Sequence, residues 1–326
     1  MALTLEHDWV WDCWLAPKPV DGLWHIFYLK APKSLVDPDL RHVNATVGHA
    51  TSTDLTNWTH LETALKPGPI GAWNDRAIWT GSVLNAPDGT WRLFFTGTNK
   101  TTEGGYVQRI GVATSADLME WTQQDLVIEA NAEFYERVDL TNVAESVAVN
   151  EWPEEAWRDP WVFFDERDSL WHMLITSRGK SGKTLNRGAV GHAVSFNLTD
   201  WDVRPPLTDQ TPFGHLEVLE VLPTEVGHVV TFCAAARDVD PESGIAQRTG
   251  TWSAPADSPT GPFHFDRAEL IGDGEVYAGR VVKDTDGVHK LLGFVINDPI
   301  GIQGFNGTIS DPMPLRVTER QTFQLA

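Results

Sequence analysis

Asp88-Gly89-Thr90-Trp91-Arg92-Leu93-Phe94-Phe95 reads as a tight turn feeding a strand: Asp-Gly makes the turn, and the aromatic run suits a pleated, buried surface. The same pattern recurs as Asp21-Gly22-Leu23-Trp24-His25-Ile26-Phe27-Tyr28 and Ser169-Leu170-Trp171-His172-Met173-Leu174-Ile175. Two looser copies are Val226-Gly227-His228-Val229-Val230-Thr231-Phe232 and Asp286-Gly287-Val288-His289-Lys290-Leu291-Leu292. With Trp24, Trp91, Trp171, His228 and His289 as markers, the copies lie 57 to 80 residues apart. A second pattern follows the first. Gly48-His49-Ala50-Thr51-Ser52 leads to Asp54-Leu55-Thr56-Asn57-Trp58, Gly111 to Ser115 leads to Asp117 to Trp121, and Gly191 to Ser195 leads to Asn197 to Trp201. Gly250-Thr251-Trp252-Ser253, running on to Phe263, is a looser version. This is a strand, a polar turn, then an outer strand expected to begin at Trp. Units of about four strands repeated radially make a β-propeller, an all-β fold that leaves few long sheet edges, and five units fit the length.

Each marker strand is preceded by another strand-like segment: Val10 to Trp14, Trp79-Thr80-Gly81-Ser82-Val83, Asp159 to Phe163, Glu217 to Val221, and Glu275-Val276-Tyr277-Ala278-Gly279. In a propeller these first strands line the central channel. Three carry an acid near their start: Asp12 in Trp9-Val10-Trp11-Asp12-Cys13-Trp14, Asp159 in Trp157-Arg158-Asp159-Pro160-Trp161, and Glu217 in His215-Leu216-Glu217-Val218-Leu219. Burying a carboxylate among such neighbours is costly without a compensating reason. Three acids in matching positions of a repeat are expected to meet at one mouth of the channel. Converging carboxylates in a polar cleft suit hydrolysis or transfer of sugars. Glu220 follows three residues after Glu217; its side-chain parity along a regular strand is opposite, so Glu217 is preferred.

Composition agrees with many short strands. The 326 residues include 15 Trp, 27 Gly and 20 Pro against 4 Met and 4 Tyr, which argues against a helical bundle. No linker divides the chain, so residues 1–326 are expected to form a single domain, with Glu133 to Trp157 as an insertion loop near the mouth. Gly307 to Val317 is a candidate for closing the ring against the N-terminus. A formal charge of −20 excludes nucleic acid and anionic membrane as expected partners, and its plain reading is a solvated acidic surface. Only Cys13 and Cys233 occur, the first seven residues lack a basic start and an apolar stretch, and no window is long enough to span a bilayer. A reduced, cytoplasmic setting is expected. Zinc spacings, calcium loops and phosphate-binding glycine motifs are missing from the sequence, so no metal and no cofactor is expected. Gly179-Lys180-Ser181-Gly182-Lys183 reads as an exposed loop, and His49 and His192, at equivalent repeat positions, as structural histidines.

These segments resemble the clan of five-bladed propeller glycosidases that holds invertases, fructanases and levansucrases, glycoside hydrolase families 32 and 68. Trp9 to Trp14 looks like the levansucrase nucleophile segment, Arg158-Asp159-Pro160 matches the Arg-Asp-Pro motif, and Trp79-Thr80-Gly81-Ser82 is similar to Trp-Ser-Gly-Ser. Leu216-Glu217-Val218 takes the place of the Glu-Cys acid/base motif, with Leu219 where invertases have Pro. The Asn-Asp-Pro-Asn string of invertases is absent, as is their trailing β-sandwich, which brings the layout closer to the levansucrase type. The resemblance implies a small carbohydrate substrate, with Asp12 as nucleophile, Glu217 as acid/base and Asp159 as a binder of ring hydroxyls. Arg158, Trp11, Trp79, Ser82, Asp75 and Trp161 would contact substrate. Glu217, as a general acid beside other carboxylates, is expected to have a raised pKa. The expected activity is a retaining β-fructofuranosidase acting on sucrose or short fructooligosaccharides, with transfer to a sugar as a second branch. An inverting α-L-arabinofuranosidase using the same acids, and a non-catalytic propeller for sugar or protein binding, are the rival readings. Each acid also has a structural reading: Asp12 as a turn acid, Arg158-Asp159 as a buried pair, Glu217 as a cross-strand partner. Trp9, Trp73, Trp79 and Trp161 are candidates for stacking on the apolar face of a sugar, although most Trp residues read more simply as packing between blades. Oligomeric state is left open.

Overall fold

The computed structural model describes residues 2–141, 155–296 and 305–326, without the side chain of Asn306. Five antiparallel sheets form in chain order. The first contains β1 (Asp8–Leu15), β2 (Trp24–Pro32), β3 (Thr46–Ser52) and β4 (Thr59–His60). The second has β5 (Ala77–Asn85), β6 (Trp91–Thr98), β7 (Gln108–Ser115) and β8 (Thr122–Ile128); the third has β9 (Trp157–Asp165), β10 (Leu170–Arg178), β11 (Gly188–Ser195) and β12 (Asp202–Arg204). The fourth has β13 (Glu217–Thr224), β14 (Gly227–Ala234), β15 (Gly250–Ala256) and β16 (Glu269–Leu270). The fifth has β17 (Val276–Lys283), β18 (His289–Ile296), β19 (Phe305–Ile309), β20 (Met313–Val317) and β21 (Phe323–Leu325).

The opening strands touch in a closed cycle: β1 meets β5 and β17, β5 meets β9, β9 meets β13, and β13 meets β17. The fold is therefore a five-bladed β-propeller with first strands innermost. Every marker strand is the second of its blade. The outer strands start one residue after Trp58, Trp121 and Trp201 rather than at Trp, because each Trp closes a turn. In these turns Asp54, Asp117 and Asn197 accept backbone N–H bonds two and three residues on, and Leu55, Leu118 and Leu198 take φ of 62°, 70° and 66°. That is the Asx-turn chemistry of these residue types. Trp121 and Trp201 lock it by donating Nε1–H to Leu118 and Leu198 carbonyls.

Wedges of apolar side chains fill the spaces between sheets. Trp11, Trp14, Phe27, Ile78 and Phe95 share one cluster, whereas Val10, Cys13, Ile26 and Tyr28 share another. Burial of such side chains is worth roughly 1.5–3 kcal/mol each. Leu3 joins Ile309 through paired backbone bonds of 3.0 and 3.1 Å, so the N-terminus does meet the 307–317 segment. Residues 142–154, within the expected insertion loop, and Asn297 lie outside the described residues. The 179–183 stretch is an irregular and largely exposed loop.

Candidate active site

Every inner strand is irregular at the same level. The pairing register slips between Trp11 and Cys13, between Trp79 and Gly81, opposite Leu174 and Thr176 in β9, between Glu217 and Glu220, and between Tyr277 and Arg280. Each slip is a bulge that inserts one residue and turns two consecutive side chains toward one pocket. The inserted residues are Asp12, Thr80, Asp159, Val218 and Ala278, and the residues before them are Trp11, Trp79, Arg158, Glu217 and Tyr277. Asp12, Asp159, Val218 and Ala278 have φ of 26°, 57°, 56° and 49°. Left-handed backbone at such residues costs about 1–3 kcal/mol apiece and is typical of sites where geometry is imposed for function. In β5 the close approach falls on Gly81: a Cβ there would stand 1.8 Å from the Phe94 carbonyl oxygen.

The register corrects two expectations. Glu217 is not equivalent to Asp12 and Asp159 but sits one position earlier, level with Arg158. Glu217 pairs with Cys233 and Glu220 with Thr231, so the bulge places both glutamates on one face, against the parity expected for a regular strand. Glu220 lies deeper, where its Oε2 accepts the Val281 N–H at 3.0 Å.

The three acids nevertheless meet. Asp12, Asp159 and Glu217 line one cavity of about 530 Å³ together with Arg158, Trp11 and Trp79. Thr80 donates its hydroxyl to Asp12 Oδ2. Asp159 Oδ2 accepts from Thr176 Oγ1 at 2.9 Å and from the Val218 N–H at 3.3 Å. Arg158 Nη2 donates to Glu217 Oε1 at 2.6 Å, while Arg158 Nε is 3.7 Å from Asp159 Oδ2. The guanidinium thus pairs more closely with Glu217 than with its sequence neighbour. Tyr277 donates to the other Glu217 oxygen.

Three of the expected substrate contacts lie elsewhere. Ser82 is buried and takes the Val162 N–H at 3.3 Å, tying β5 to β9. Asp75 accepts N–H bonds from Gly71 and Lys100 at 2.8 and 2.7 Å and holds a loop together; its neighbour Arg76 lines the cavity instead. Trp161 packs on Phe163 with ring centres 4.6 Å apart, inside the core between the third and fourth sheets. Trp73 stacks on Phe95, and Trp9 is 8% exposed, so both are packing residues. His49 and His192 are structural as expected, paired with His25 and His172 at 2.9 and 3.0 Å.

Sequence reading missed the rest of the wall. Arg41 and His42 come from the β2–β3 connection, Gly104 to Tyr106 from β6–β7, and Arg237 from β14–β15. In an antiparallel blade the connection between second and third strands returns to the end where the first strand starts. That rule would have pointed to these loops.

Burial raises the Asp12 carboxyl to about 7, helped by the charges of Asp159 and Glu217 and opposed by Thr80 and Arg41. Burial likewise lifts Asp159 to about 6, against Arg158. Burial also pushes Glu217 upward, but Arg158 above all, with Tyr277, outweighs it and holds this carboxyl below the ordinary glutamate value. This reverses the expected direction, because the Arg158 guanidinium donates directly to the carboxylate. Among the described residues, Asp165, Asp168 and His172 also approach one another closely enough to surround a cation, but Arg167 already clasps Asp165 at 2.5–3.0 Å. That group fits an ion network better than a metal centre.

The family described as "Glycosyl hydrolases family 32 N-terminal domain" matches residues 16–324. Asp12 therefore lies just outside the matched span, and its place in the pocket rests on the structure. A 6(G)-fructosyltransferase of Asparagus officinalis is 30% identical over 51% of the chain and 24% of its own length. An acid β-fructofuranosidase of Capsicum annuum is 31% identical over 55% of the chain, again 24% of that protein. The chain thus spans about a quarter of the length of these curated relatives. An inulosucrase from Halalkalicoccus jeotgali bound to kestose superposes with a TM-score of 0.77 at 20% identity, covering 99% of this chain and 89% of that one. Bacillus subtilis levansucrase follows at 0.72 and 14%, covering 97% and 86%. At these identities the superpositions establish the propeller and no more.

Proposed function

Because the chain belongs to the glycosyl hydrolases of family 32, we propose that it is a retaining β-fructofuranosidase that cleaves sucrose or short fructooligosaccharides and can pass the fructosyl group to another sugar. The observation that carries this reading is the meeting of Asp12, Asp159 and Glu217 in one cavity. The named activities of the fructosyltransferase and β-fructofuranosidase relatives support it.

In the first step a carboxylate oxygen of Asp12 attacks the anomeric carbon as the bond to the leaving oxygen breaks. Glu217 gives that oxygen its proton, so the leaving sugar departs neutral and a fructosyl ester remains on Asp12. In the second step Glu217 takes a proton from water or a sugar hydroxyl, which attacks the same carbon and restores Asp12. Asp159 accepts hydroxyl hydrogens of the ring and faces the positive charge of the oxocarbenium-like transition state. With protein groups alone around it, a proton rests most easily on Asp12 and least easily on Glu217. Hydrogen bonds from the sugar to Asp12 and Asp159 stabilise their charged forms, and the reactive arrangement then carries the proton on Glu217. The depth order suits these roles: Glu217 precedes the bulge, nearer the mouth through which a leaving sugar must pass.

Incubation of the pure chain with sucrose, kestose, inulin, levan and an aryl α-L-arabinofuranoside in the presence of methanol tests the proposal. Release of glucose together with methyl β-fructofuranoside is expected; an α-glycoside product sinks the retaining mechanism, and cleavage of arabinofuranosides alone supports the arabinofuranosidase reading. A cytoplasmic setting belongs to the same proposal, supported by two buried and unbridged cysteines, Cys13 and Cys233. Recovery of the native protein in a secreted fraction would overturn that part.

A further inference from the structure

His215 lies two residues before Glu217, is 3% exposed, and has its Nδ1 2.9 Å from Arg158 Nη2. We propose that His215 is a positioning residue for the acid/base: its Nδ1 lone pair holds the Arg158 guanidinium, which in turn holds Glu217. This inference rests on the reading of Glu217 as proton donor.

The argument is one of hydrogen-bond direction. A guanidinium only donates, so the Nδ1 that faces it must be an unprotonated acceptor, and His215 is neutral with its proton on Nε2. Burial favours the same state, lowering the imidazole to about 4, with Arg158 adding to that and the Glu217 carboxylate opposing it. Nη2 has two hydrogens, and the geometry uses both: one goes to His215 and one to Glu217 Oε1 at 2.6 Å. Nη1 is fixed by Gln108 Oε1 at 3.2 Å, so the guanidinium is held from the second and the fourth blade together. Asp159 Oδ2 waits 3.7 Å from Nε. Without the imidazole acceptor, a buried N–H loses its partner and the guanidinium gains reason to turn toward Asp159. The ease with which Glu217 accepts and releases its proton depends on that guanidinium. The effect of His215 is therefore expected in proton transfer, not in sugar binding.

The test compares the parent chain with His215→Leu and His215→Asn, the latter carrying an amide oxygen able to stand in for Nδ1. Each is assayed on sucrose and on an aryl β-fructofuranoside whose nitrophenoxide leaves without help from an acid, with melting temperatures recorded alongside. His215→Leu is expected to lose at least about tenfold in kcat on sucrose, less than threefold on the aryl substrate, and to displace the basic limb of its kcat profile, where bound sugar leaves the proton on Glu217. His215→Asn is expected to recover most of the loss. Equal losses on the two substrates, or no displacement of the pH limb, overturn the proposal. A parent that cleaves neither substrate removes the premise instead, and with it this inference. Nitrogen NMR of the parent chain gives an answer independent of how the variants fold: the Nε2–H tautomer is expected at pH 7, and an Nδ1–H tautomer contradicts it.

Discussion

The inner strands of the first and fourth blades share one bulge and use it oppositely. In β1 the residue before the bulge is apolar and the inserted one is acidic, Trp11 then Asp12; in β13 the order is reversed, Glu217 then Val218. The same kind of bulge thus delivers a carboxylate at two levels of one channel. Asp12, half-buried in the cavity wall, accepts one side-chain hydroxyl, and burial raises its pKa to about 7. Glu217, one level nearer the mouth, meets Arg158 and Tyr277, which favour its ionised form. The two environments drive the proton affinities apart, but in the order opposite to the one a nucleophile and an acid/base require, so hydrogen bonds from bound sugar have to reverse it before reaction. The fifth blade, with Tyr277 and Ala278, shows that the slot also serves without an acid.

The largest effect should separate the two levels. Asp12→Asn keeps the shape and removes the proposed nucleophile, so kcat on sucrose is expected to fall by about 10⁴-fold or more, while Val218→Ala stays within about tenfold. Comparable losses in both would mean that the bulge matters only as structure. Glu217→Gln should lose about 10²–10⁴-fold on sucrose but much less on a nitrophenyl fructoside.

Trp161→Ala tests the boundary between pocket and core. Its ring packs on Phe163 rather than on the cavity, so a loss of about 3–5 kcal/mol of stability is expected with KM on sucrose unchanged. A raised KM at unchanged melting temperature would return Trp161 to the site.

Proton affinity predicts a pH signature. The reactive trio of acids needs one proton; the last is lost near 7, the value of Asp12, and a second is gained near 6, the value of Asp159. The profile of kcat/KM should therefore peak between these values and fall on both sides. The same shift acts on stability. A raised folded-state carboxyl stabilises most below its unfolded value of 3.8 and loses that contribution as pH rises through about 7. Asp12→Asn should consequently raise the melting temperature relative to the parent at pH 8 and change it little at pH 5. No difference between the two pH values would contradict the burial argument. The smallest effect is expected from Ser82→Ala, about 1 kcal/mol or less of stability for one lost hydrogen bond and no change in turnover.

The propeller was legible because its turn and strand chemistry repeats: Asp-Gly before the marker strands and the Asp-Leu or Asn-Leu turns are local instructions. Asp12, Asp159 and Glu217 were legible as a group because they recur at the starts of equivalent strands. Their exact levels were not, because a bulge changes side-chain parity without a fixed residue type: Thr80, Val218 and Ala278 fill the same slot as two aspartates. Ser82 and Trp161 were misplaced for the same reason, since residues next to a bulge leave the pocket within one or two positions, whereas Asp75 sits in the loop before β5 and serves that loop's own hydrogen bonds. Arg41, His42, Tyr106 and Arg237 went unnoticed because they sit in connections whose lengths vary from blade to blade.

Peptide mapping by mass spectrometry after acid quench of the chain turning over sucrose bears most directly on the joint action of the three acids. The expected result is a fructosyl ester on the peptide that contains Asp12, abolished in Asp12→Asn and accumulating in Glu217→Gln with an activated fructoside. Turnover with an inverted product and no sugar on that peptide, or an ester on the peptide containing Asp159, would contradict the account.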